Sequence, residues 1–160
     1  MTVKIIQADL DRPEHARAVV EMLNAYAMDP MGRGESLPDD VLRELVPGLK
    51  RIPTAIVLLA YDGDKPIGIA TCFLGFSTFA ARPLVNIHDL AVLQEYRGQG
   101  VSRLLLEAVE AKARALGCCK VTLEVQEKNY RAREVYERAG FRPVEWANVG
   151  GETYFLAKSV

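Results

Sequence analysis

Hydrophobic residues recur with two different periods along the chain, and each change of period marks a boundary between predicted elements. Apolar positions three and four residues apart predict four helices, at 13–28, 39–49, 100–116 and 130–139. Alternating or continuous apolar runs predict strands at 3–7, 55–61, 67–73, 84–93, 120–125, 141–144 and 153–158. The resulting order, β-α-α-β-β-β-α-β-α-β-β, predicts a mixed α/β fold.

Turn and cap residues punctuate these segments. Asp11, two residues before Pro13, is the expected N-cap of the first helix. The sequence DGDKP at 62–66 separates two apolar runs and predicts a β-hairpin. Since no repeat, low-complexity tract or linker-like stretch interrupts the chain, we expect a single domain over residues 1–160.

Composition excludes several classes of protein. The 160 residues carry 20 Lys and Arg against 21 Asp and Glu, which gives no bulk attraction for nucleic acid. No apolar run approaches the ~20 residues of a membrane-spanning helix, and the N-terminus lacks the features of a signal peptide. We therefore expect a cytoplasmic protein without a membrane or nucleic-acid partner. Two histidines, and three cysteines without ligand spacing, predict no metal site.

The near-neutral total hides an uneven distribution of charge. Residues 97–138 carry 9 basic and 6 acidic side chains, whereas the segments before them are acidic. Two solvated, arginine-rich helices would explain this excess. A bound anion near the basic stretch would explain it equally well.

A glycine-containing turn, Arg97-Gly98-Gln99-Gly100-Val101-Ser102, joins an apolar strand directly to an amphipathic helix. The first turn of a helix has N–H groups without intrahelical acceptors and carries the positive end of the helix dipole. Glycines let an anion approach these amides closely, which suits a phosphate or pyrophosphate. The turn lacks the Lys-Ser/Thr of a P-loop and the full G-x-G-x-x-G of a dinucleotide fold, so neither class is supported.

Together with two other segments, this turn resembles the GNAT superfamily of acetyl-CoA-dependent N-acetyltransferases over residues 55–145. The matching motifs, in order, are Leu90-Ala91-Val92, Arg97-x-x-Gly100-x-Ser102 and Asn129-x-x-Ala132-x-x-x-Tyr136-x-x-x-Gly140-Phe141. One departure is Ser102, where the superfamily usually has Gly or Ala. The resemblance implies a central, mostly antiparallel sheet with a splayed parallel pair of fourth and fifth strands and about four helices.

The resemblance also assigns residues to acetyl-CoA. It implies that the amides from Gly98 to Arg103 hold the pyrophosphate, that Arg97 shapes the turn, and that the edge of the strand binds pantetheine as an added strand would. The implied cofactor-binding residues are Leu90, Ala91, Val92, Arg97, Gly98, Gln99, Gly100, Val101, Ser102, Arg103 and Asn129.

Acetyl transfer to an amine needs a proton donor for the departing thiolate and an acceptor for the amine's proton. The resemblance places Tyr136 beside the sulfur, and a phenol is a competent donor at neutral pH. His88 is the candidate base or water-relay partner, against the alternative of a core histidine. It matches the position of a substrate-binding Glu in the polyamine-acetylating branch that the chain resembles. His15, far from every motif, is expected at the surface.

We expect two loops, 26–37 and 76–83, to wall the acceptor site. The candidate substrate-binding residues are Asp29, Phe79, Arg82, Asp89 and Glu124. The orientation of Asp89 depends on whether its strand carries a bulge, since one extra residue reverses the faces.

These features predict an enzyme that transfers acetyl from acetyl-CoA to a small primary amine, polyamine or amino-acid-like, by direct attack in a ternary complex without metal. An N-terminal or lysine acetyltransferase and a non-catalytic acyl-CoA-binding regulatory module are the alternatives. An acetyl-cysteine route through Cys118 or Cys119 is disfavoured, because no His accompanies them in a motif. A homodimer is common in the superfamily and is the expected assembly, although no residue pattern fixes it.

Overall fold

The computed structural model describes residues 1–144 and 156–160. Its elements are β1 (Val3–Gln7), α1 (Pro13–Met28), α2 (Asp39–Lys50), β2 (Ala55–Asp62), β3 (Lys65–Ser77), β4 (Arg82–Val92), a 3-10 turn (Gln94–Tyr96), α3 (Val101–Ala115), β5 (Val121–Leu123) and α4 (Tyr130–Arg138). Half of the predicted strand at 153–158 lies outside the described residues, and 156–158 have no regular secondary structure. Residues 141–144 were predicted as a strand, but they form none, because no described segment pairs with them.

Five strands form one sheet in the order β1-β2-β3-β4-β5. The first four are antiparallel neighbours, and β4 and β5 run parallel. This is the mixed sheet with a parallel fourth and fifth strand that the resemblance implied. The parallel ladder covers only Val85–Ile87 opposite Val121–Leu123, whereas β4 continues to Val92. The last residues of β4 therefore have an open edge where β5 has already ended.

Helices cover both faces of the sheet. On one face α1 and α2 pack through Val19, Met22 and Val46 against Leu59 and Ile69. On the other face α3 is buried through residues that the predicted helical spacing brings to one side, namely Val101, Leu105, Leu106, Val109 and Ala113. A Cβ added at Gly68 of β3 would lie 3.1 Å from Leu105 Cδ1, so this glycine permits the close approach of α3 to the sheet.

A β-bulge in β4 determines which side chains face which layer. Thr71 pairs with Asp89, whereas the next residue, Cys72, pairs with Ile87, so His88 is an extra residue in β4. Before the bulge, Ile87 faces the α3 layer; after it, Leu90 and Val92 do so. The bulge thereby turns Asp89, together with Ala91, toward the layer formed by α1 and α2.

Two predictions at the start of α1 were wrong. The N-cap is Arg12 rather than Asp11, with no side-chain cap hydrogen bond, and the Asp11 amide instead donates to Asp9 Oδ1 at 3.0 Å. His15 is buried, not at the surface, because its Nδ1 accepts a hydrogen bond from the Asp9 amide at 3.0 Å. This bond gives the ring nitrogen Nδ1 a hydrogen-bond partner and joins the 9–12 turn to the helix.

Among residues 1–144 and 156–160, no helix has the length and apolar content needed to cross a membrane. The same residues contain no group of three or more His, Cys, Asp or Glu arranged to hold a metal ion.

Candidate active site

A cavity of about 810 Å³ lies between the open edge of β4, the turn before α3, the end of α1 and the helix α4. Its walls contain nearly all the predicted cofactor residues: Leu90, Ala91, Val92, Arg97, Gly98, Gly100, Val101, Ser102, Arg103 and Asn129. Tyr136 also lines it. Gln99 is the exception, because its side chain turns away and donates to the Glu95 carbonyl at 2.8 Å.

The turn before α3 has the backbone of an anion cradle. Gly98 and Gly100 have φ angles of +75° and +85°, the left-handed region that favours glycine, and Gly100 is the N-cap of α3. Within the described part of the chain, the backbone amides of residues 98–103 donate no hydrogen bond to another protein group. Six consecutive open N–H groups at the positive end of a helix suit a diphosphate.

Basic side chains of α4 and the loop before it approach the same turn. A Cβ added at Gly98 would lie 3.9 Å from Arg131 Nη2, and both Lys128 and Arg131 line the cavity. Neither side chain forms an ion pair with any other described residue. The sequence indicated only a basic stretch at 97–138 and missed these two cations individually. The residues present therefore fit an anionic, phosphate-bearing ligand.

Arg97 holds three parts of the site together. Its Nε donates to the Val92 carbonyl at 3.0 Å, and its Nη2 is paired with Asp29 Oδ2 at the end of α1. Burial opposes ionisation of Asp29, but the hydrogen bonds from Arg97 and from the Met31 amide outweigh it and lower the pKa of this carboxyl. Asp29 lines the cavity, as expected for an acceptor-site residue, but its charge is already paired with Arg97.

The open edge of β4 continues the cavity from the cradle toward Tyr136. The Val85 amide donates to Lys120 O beside β5, so the backbone groups of Val85 point to that side of β4. After the bulge, strand alternation brings the backbone of Leu90 to the same side, beyond the end of β5. An extended ligand can pair there as an additional strand.

Tyr136 lies in the last turns of α4, half-buried, with its ring edge-on to Phe141 at 6.0 Å between centroids. Burial, and to a smaller extent the neighbouring Tyr26, raises the pKa of Tyr136 to about 12. The phenol is consequently neutral and carries its proton throughout the physiological range. Asn129 caps the same helix, since its Oδ1 accepts from the Ala132 amide at 3.2 Å.

Asp89, Thr71 and Tyr26 form a polar group on the α1 side of the sheet. Burial raises the pKa of Asp89, although the neighbouring His88 opposes it. The Thr71 hydroxyl is buried and makes no hydrogen bond to the described residues, although it pairs directly opposite Asp89 in the ladder. Burial, followed by Asp89 and Asp29, raises the pKa of Tyr26, which lines the cavity.

Sequence reasoning placed Tyr26 at the start of the 26–37 segment but gave it no individual role. The sequence did contain a signal for this residue. Tyr26 follows Leu23 by three residues and Val19 by seven, so it continues the apolar face of α1 with a phenol. The charge of Asp89 contributes to the raised pKa of Tyr26, and Tyr26 in turn contributes to the raised pKa of Tyr136.

Asp89 borders Leu90 but does not itself line the cavity, and the remaining candidates do not line it either. His88 is exposed at the bulge, with its ring edge-on to Phe73 at 5.7 Å. Phe79 is 96% exposed between β3 and β4, Arg82 donates to the Gly117 carbonyl at 3.2 Å, and Glu124 is exposed beyond β5. These last three residues do not reach the cavity. The cavity lies along the part of β4 that follows the bulge and extends beyond the end of β5.

Comparisons with known proteins identify the class that this fold and cavity define. Residues 19–141 match the model of the acetyltransferase (GNAT) family. The chain therefore belongs to the GNAT family and is an acetyl-CoA-dependent acetyltransferase.

Individual relatives are similar over different parts of the chain. An uncharacterized N-acetyltransferase of Archaeoglobus fulgidus is 31% identical over 65% of this chain and 71% of its own length. The thialysine N-epsilon-acetyltransferase of Bos taurus is 31% identical over 49% of this chain and 46% of its own length. The structure of AAC(6')-Iy in complex with the bisubstrate analogue CoA-S-monomethyl-acetylneamine superimposes with a TM-score of 0.77, covering 100% of both chains at 18% identity.

Proposed function

We propose that the protein acetylates a small molecule carrying a primary amine, polyamine-like or amino-acid-like, by direct transfer in a ternary complex. One observation carries the proposal. A single cavity is lined at one end by Gly98 and residues 100–103, whose amides are open, and it has the neutral, proton-bearing Tyr136 in its wall. Two relatives support a small acceptor by their printed names, which mention thialysine and an acetylneamine bisubstrate analogue.

In this proposal the amides of residues 98–103 bind the pyrophosphate of acetyl-CoA, and Lys128 and Arg131 add positive charge. The backbone of Leu90 pairs with the pantetheine arm along the open edge of β4. Acetyl-CoA supplies the thioester carbonyl carbon that the amine attacks. Asn129 contributes by capping the helix that presents Tyr136.

Tyr136 is the proposed general acid. As the new C–N bond forms and the C–S bond breaks, its hydroxyl gives a proton to the departing sulfur. A phenol with an ordinary or raised pKa carries this proton at neutral pH. Solvent returns the proton to the phenolate after release of products.

Asp89 is the proposed counter-charge and proton acceptor for the amine. The bulge turns its carboxylate toward the α1 layer, beside the orphaned Thr71 hydroxyl and near Tyr26. A half-buried carboxylate attracts an ammonium group and, with a raised pKa, is a better base than an ordinary Asp. His88 is exposed next to it, which suits a relay of the proton from Asp89 to solvent.

Incubation of the purified protein with acetyl-CoA and a panel of polyamines, basic amino acids, aminoglycosides and short peptides tests the proposal, with products read by mass. Acetylation of one small-amine class is the expected result. Turnover of peptides alone would replace the small amine by a protein acceptor. Binding of acetyl-CoA without turnover of any amine in the panel would favour a non-catalytic acyl-CoA-binding module.

A further inference from the structure

Arg97 connects two regions that are far apart in the sequence. Asp29 at the C-terminal end of α1 and Arg97 at the start of the glycine turn are separated by 68 residues, yet their side chains form an ion pair. Their side chains are 13% and 31% exposed, so solvent screens this pair less than the other ion pairs of the described chain. The Nε of the same guanidinium donates to the Val92 carbonyl.

Asp29 also organises the segment that follows α1. Its Oδ1 accepts from the Met31 amide at 2.9 Å and its carbonyl from the Gly32 amide at 2.8 Å. The amides of Arg33 and Gly34 donate to the Ala27 carbonyl at 2.8 and 2.9 Å. Residues 29–34, which we call the α1 turn, therefore fold back onto the last turn of α1.

The α1 turn packs directly against the backbone of Tyr26. A Cβ added at Gly32 would lie 2.3 Å from the Tyr26 carbonyl oxygen, which excludes any larger residue without rearrangement. Displacement of the α1 turn would therefore also displace the backbone of Tyr26. The side chain of Tyr26 lies near both Asp89 and Tyr136.

We propose that Asp29 and Arg97 are positioning residues that couple the acetyl-CoA cradle to the acceptor side, so that bound acetyl-CoA stabilises the α1 turn and Tyr26. The inference rests on the proposed function only in its use of acetyl-CoA as the ligand of residues 98–103. A ligand on those amides orders the turn that begins at Arg97. Because coupling is reciprocal, an ordered α1 turn would in return favour acetyl-CoA binding.

The contacts of Arg97 argue against a direct role on phosphate. Both Nε and Nη2 already have acceptors, and the paired carboxylate neutralises the charge. A lysine ends in a single nitrogen, so Arg97→Lys lacks the two nitrogens, held at a fixed distance, that bond Val92 and Asp29. The coupling requires the guanidinium and not merely a positive charge.

Amide hydrogen exchange of the α1 turn, with and without saturating acetyl-CoA, tests this coupling without knowledge of the acceptor. In the wild type we expect acetyl-CoA to slow exchange at Met31, Gly32, Arg33 and Gly34 by about tenfold, a usual size for coupled sites. Asp29→Asn and Arg97→Lys should abolish this slowing while acetyl-CoA still binds. Glu14→Gln is the matched control, because Glu14 pairs with Arg12 at the exposed opposite end of α1.

Each outcome discriminates between the two proposals. No binding of acetyl-CoA by the wild type would overturn the proposed function. Binding with unchanged exchange in the α1 turn would overturn only the coupling. Equal slowing of exchange in the wild type and in folded Asp29→Asn would also overturn the coupling. If the pair acts as a unit, the double variant Asp29→Asn with Arg97→Lys should show the same exchange as either single variant.

Discussion

Asp89 lies directly opposite Thr71 across two antiparallel strands, at the point where the extra residue His88 bulges β4. The pairing combines a half-buried carboxyl with a buried hydroxyl that has no hydrogen-bond partner in the described chain. Neither group is well satisfied by the protein, and both face the layer that contains Tyr26. An ammonium group bound there would supply the missing donors, and polar groups kept in such a state are typical of functional sites.

Asp89→Asn should raise stability at neutral pH while lowering activity. Burial raises the folded-state pKa of Asp89, so the folded protein binds this proton more tightly than the unfolded chain does. The stabilisation from this proton is fully present below the unfolded pKa near ~4 and is lost as pH rises through the raised folded pKa. The variant should therefore melt at a higher temperature than the wild type at pH 7, and the difference should shrink toward pH 4.

The same variant should lose about 10²-fold in kcat/KM or more. The acidic limb of the wild-type kcat/KM profile should fall above the ordinary range of an Asp and should vanish in Asp89→Asn. Asp64→Asn in the exposed β2–β3 turn is the control with the same chemical change. An unchanged pH profile in Asp89→Asn would exclude Asp89 as the base.

Tyr136→Phe should reduce kcat by about 10²- to 10⁴-fold, because it removes the proton donor for the departing sulfur. The affinity for acetyl-CoA should change by less than about threefold, since the aromatic ring and its packing on Phe141 are retained. Tyr61→Phe, on β2 beyond the lining of the cavity, controls for loss of a half-buried phenol. Steady-state kinetics with separate titration of acetyl-CoA measures both effects, and a kcat within threefold of the wild type would rule out the acid role.

Local patterns predicted most of the fold and the glycine turn before α3. The helices and the first five strands follow from apolar spacing, and the open amides at 98–103 follow from two glycines between a strand and a helix. These features depend on residues close in the sequence, so a single chain suffices to find them. The bulge had a signal as well, since the spacing of Val85, Ile87, Leu90 and Val92 changes from two to three where His88 is inserted.

Residues brought together from distant segments were predicted poorly. Asp29 lines the cavity, but its ion pair with Arg97, 68 residues further on, was not predicted. Arg82 was expected near the acceptor, but it bonds the end of α3 at Gly117. No local pattern encodes either partner, because each contact depends on how the helices pack on the sheet.

Gly100→Ala should weaken acetyl-CoA binding through the backbone and not through a clash. Gly100 has a φ of +85°, and a Cβ there would meet no atom within 4 Å. Holding alanine in this left-handed conformation costs about 1 kcal/mol, and relaxation of the strain would reorient the open amides. Gly63→Ala is a close match, with a φ of +59° and open space in the β2–β3 turn.

Both glycine variants should therefore lose a similar free energy of unfolding, but only Gly100→Ala should raise the Kd of acetyl-CoA. Chemical denaturation and calorimetric titration separate the two quantities. Equal acetyl-CoA affinity in the two variants would show that the turn before α3 is not the phosphate cradle.

Arg131→Gln should raise the KM for acetyl-CoA about tenfold at low salt, because a charge-assisted bond to phosphate is lost. The guanidinium approaches the turn at Gly98 and makes no ion pair within the described chain, so its charge is available to a ligand. Salt screens such exposed charges, so the effect should shrink as ionic strength rises from about 0.02 to about 0.5 M. Arg114→Gln is the control, since Arg114 is exposed at the far end of α3 and pairs with Glu110 at 2.6 Å. A KM that is equally insensitive to both substitutions at low salt would place the phosphates away from α4.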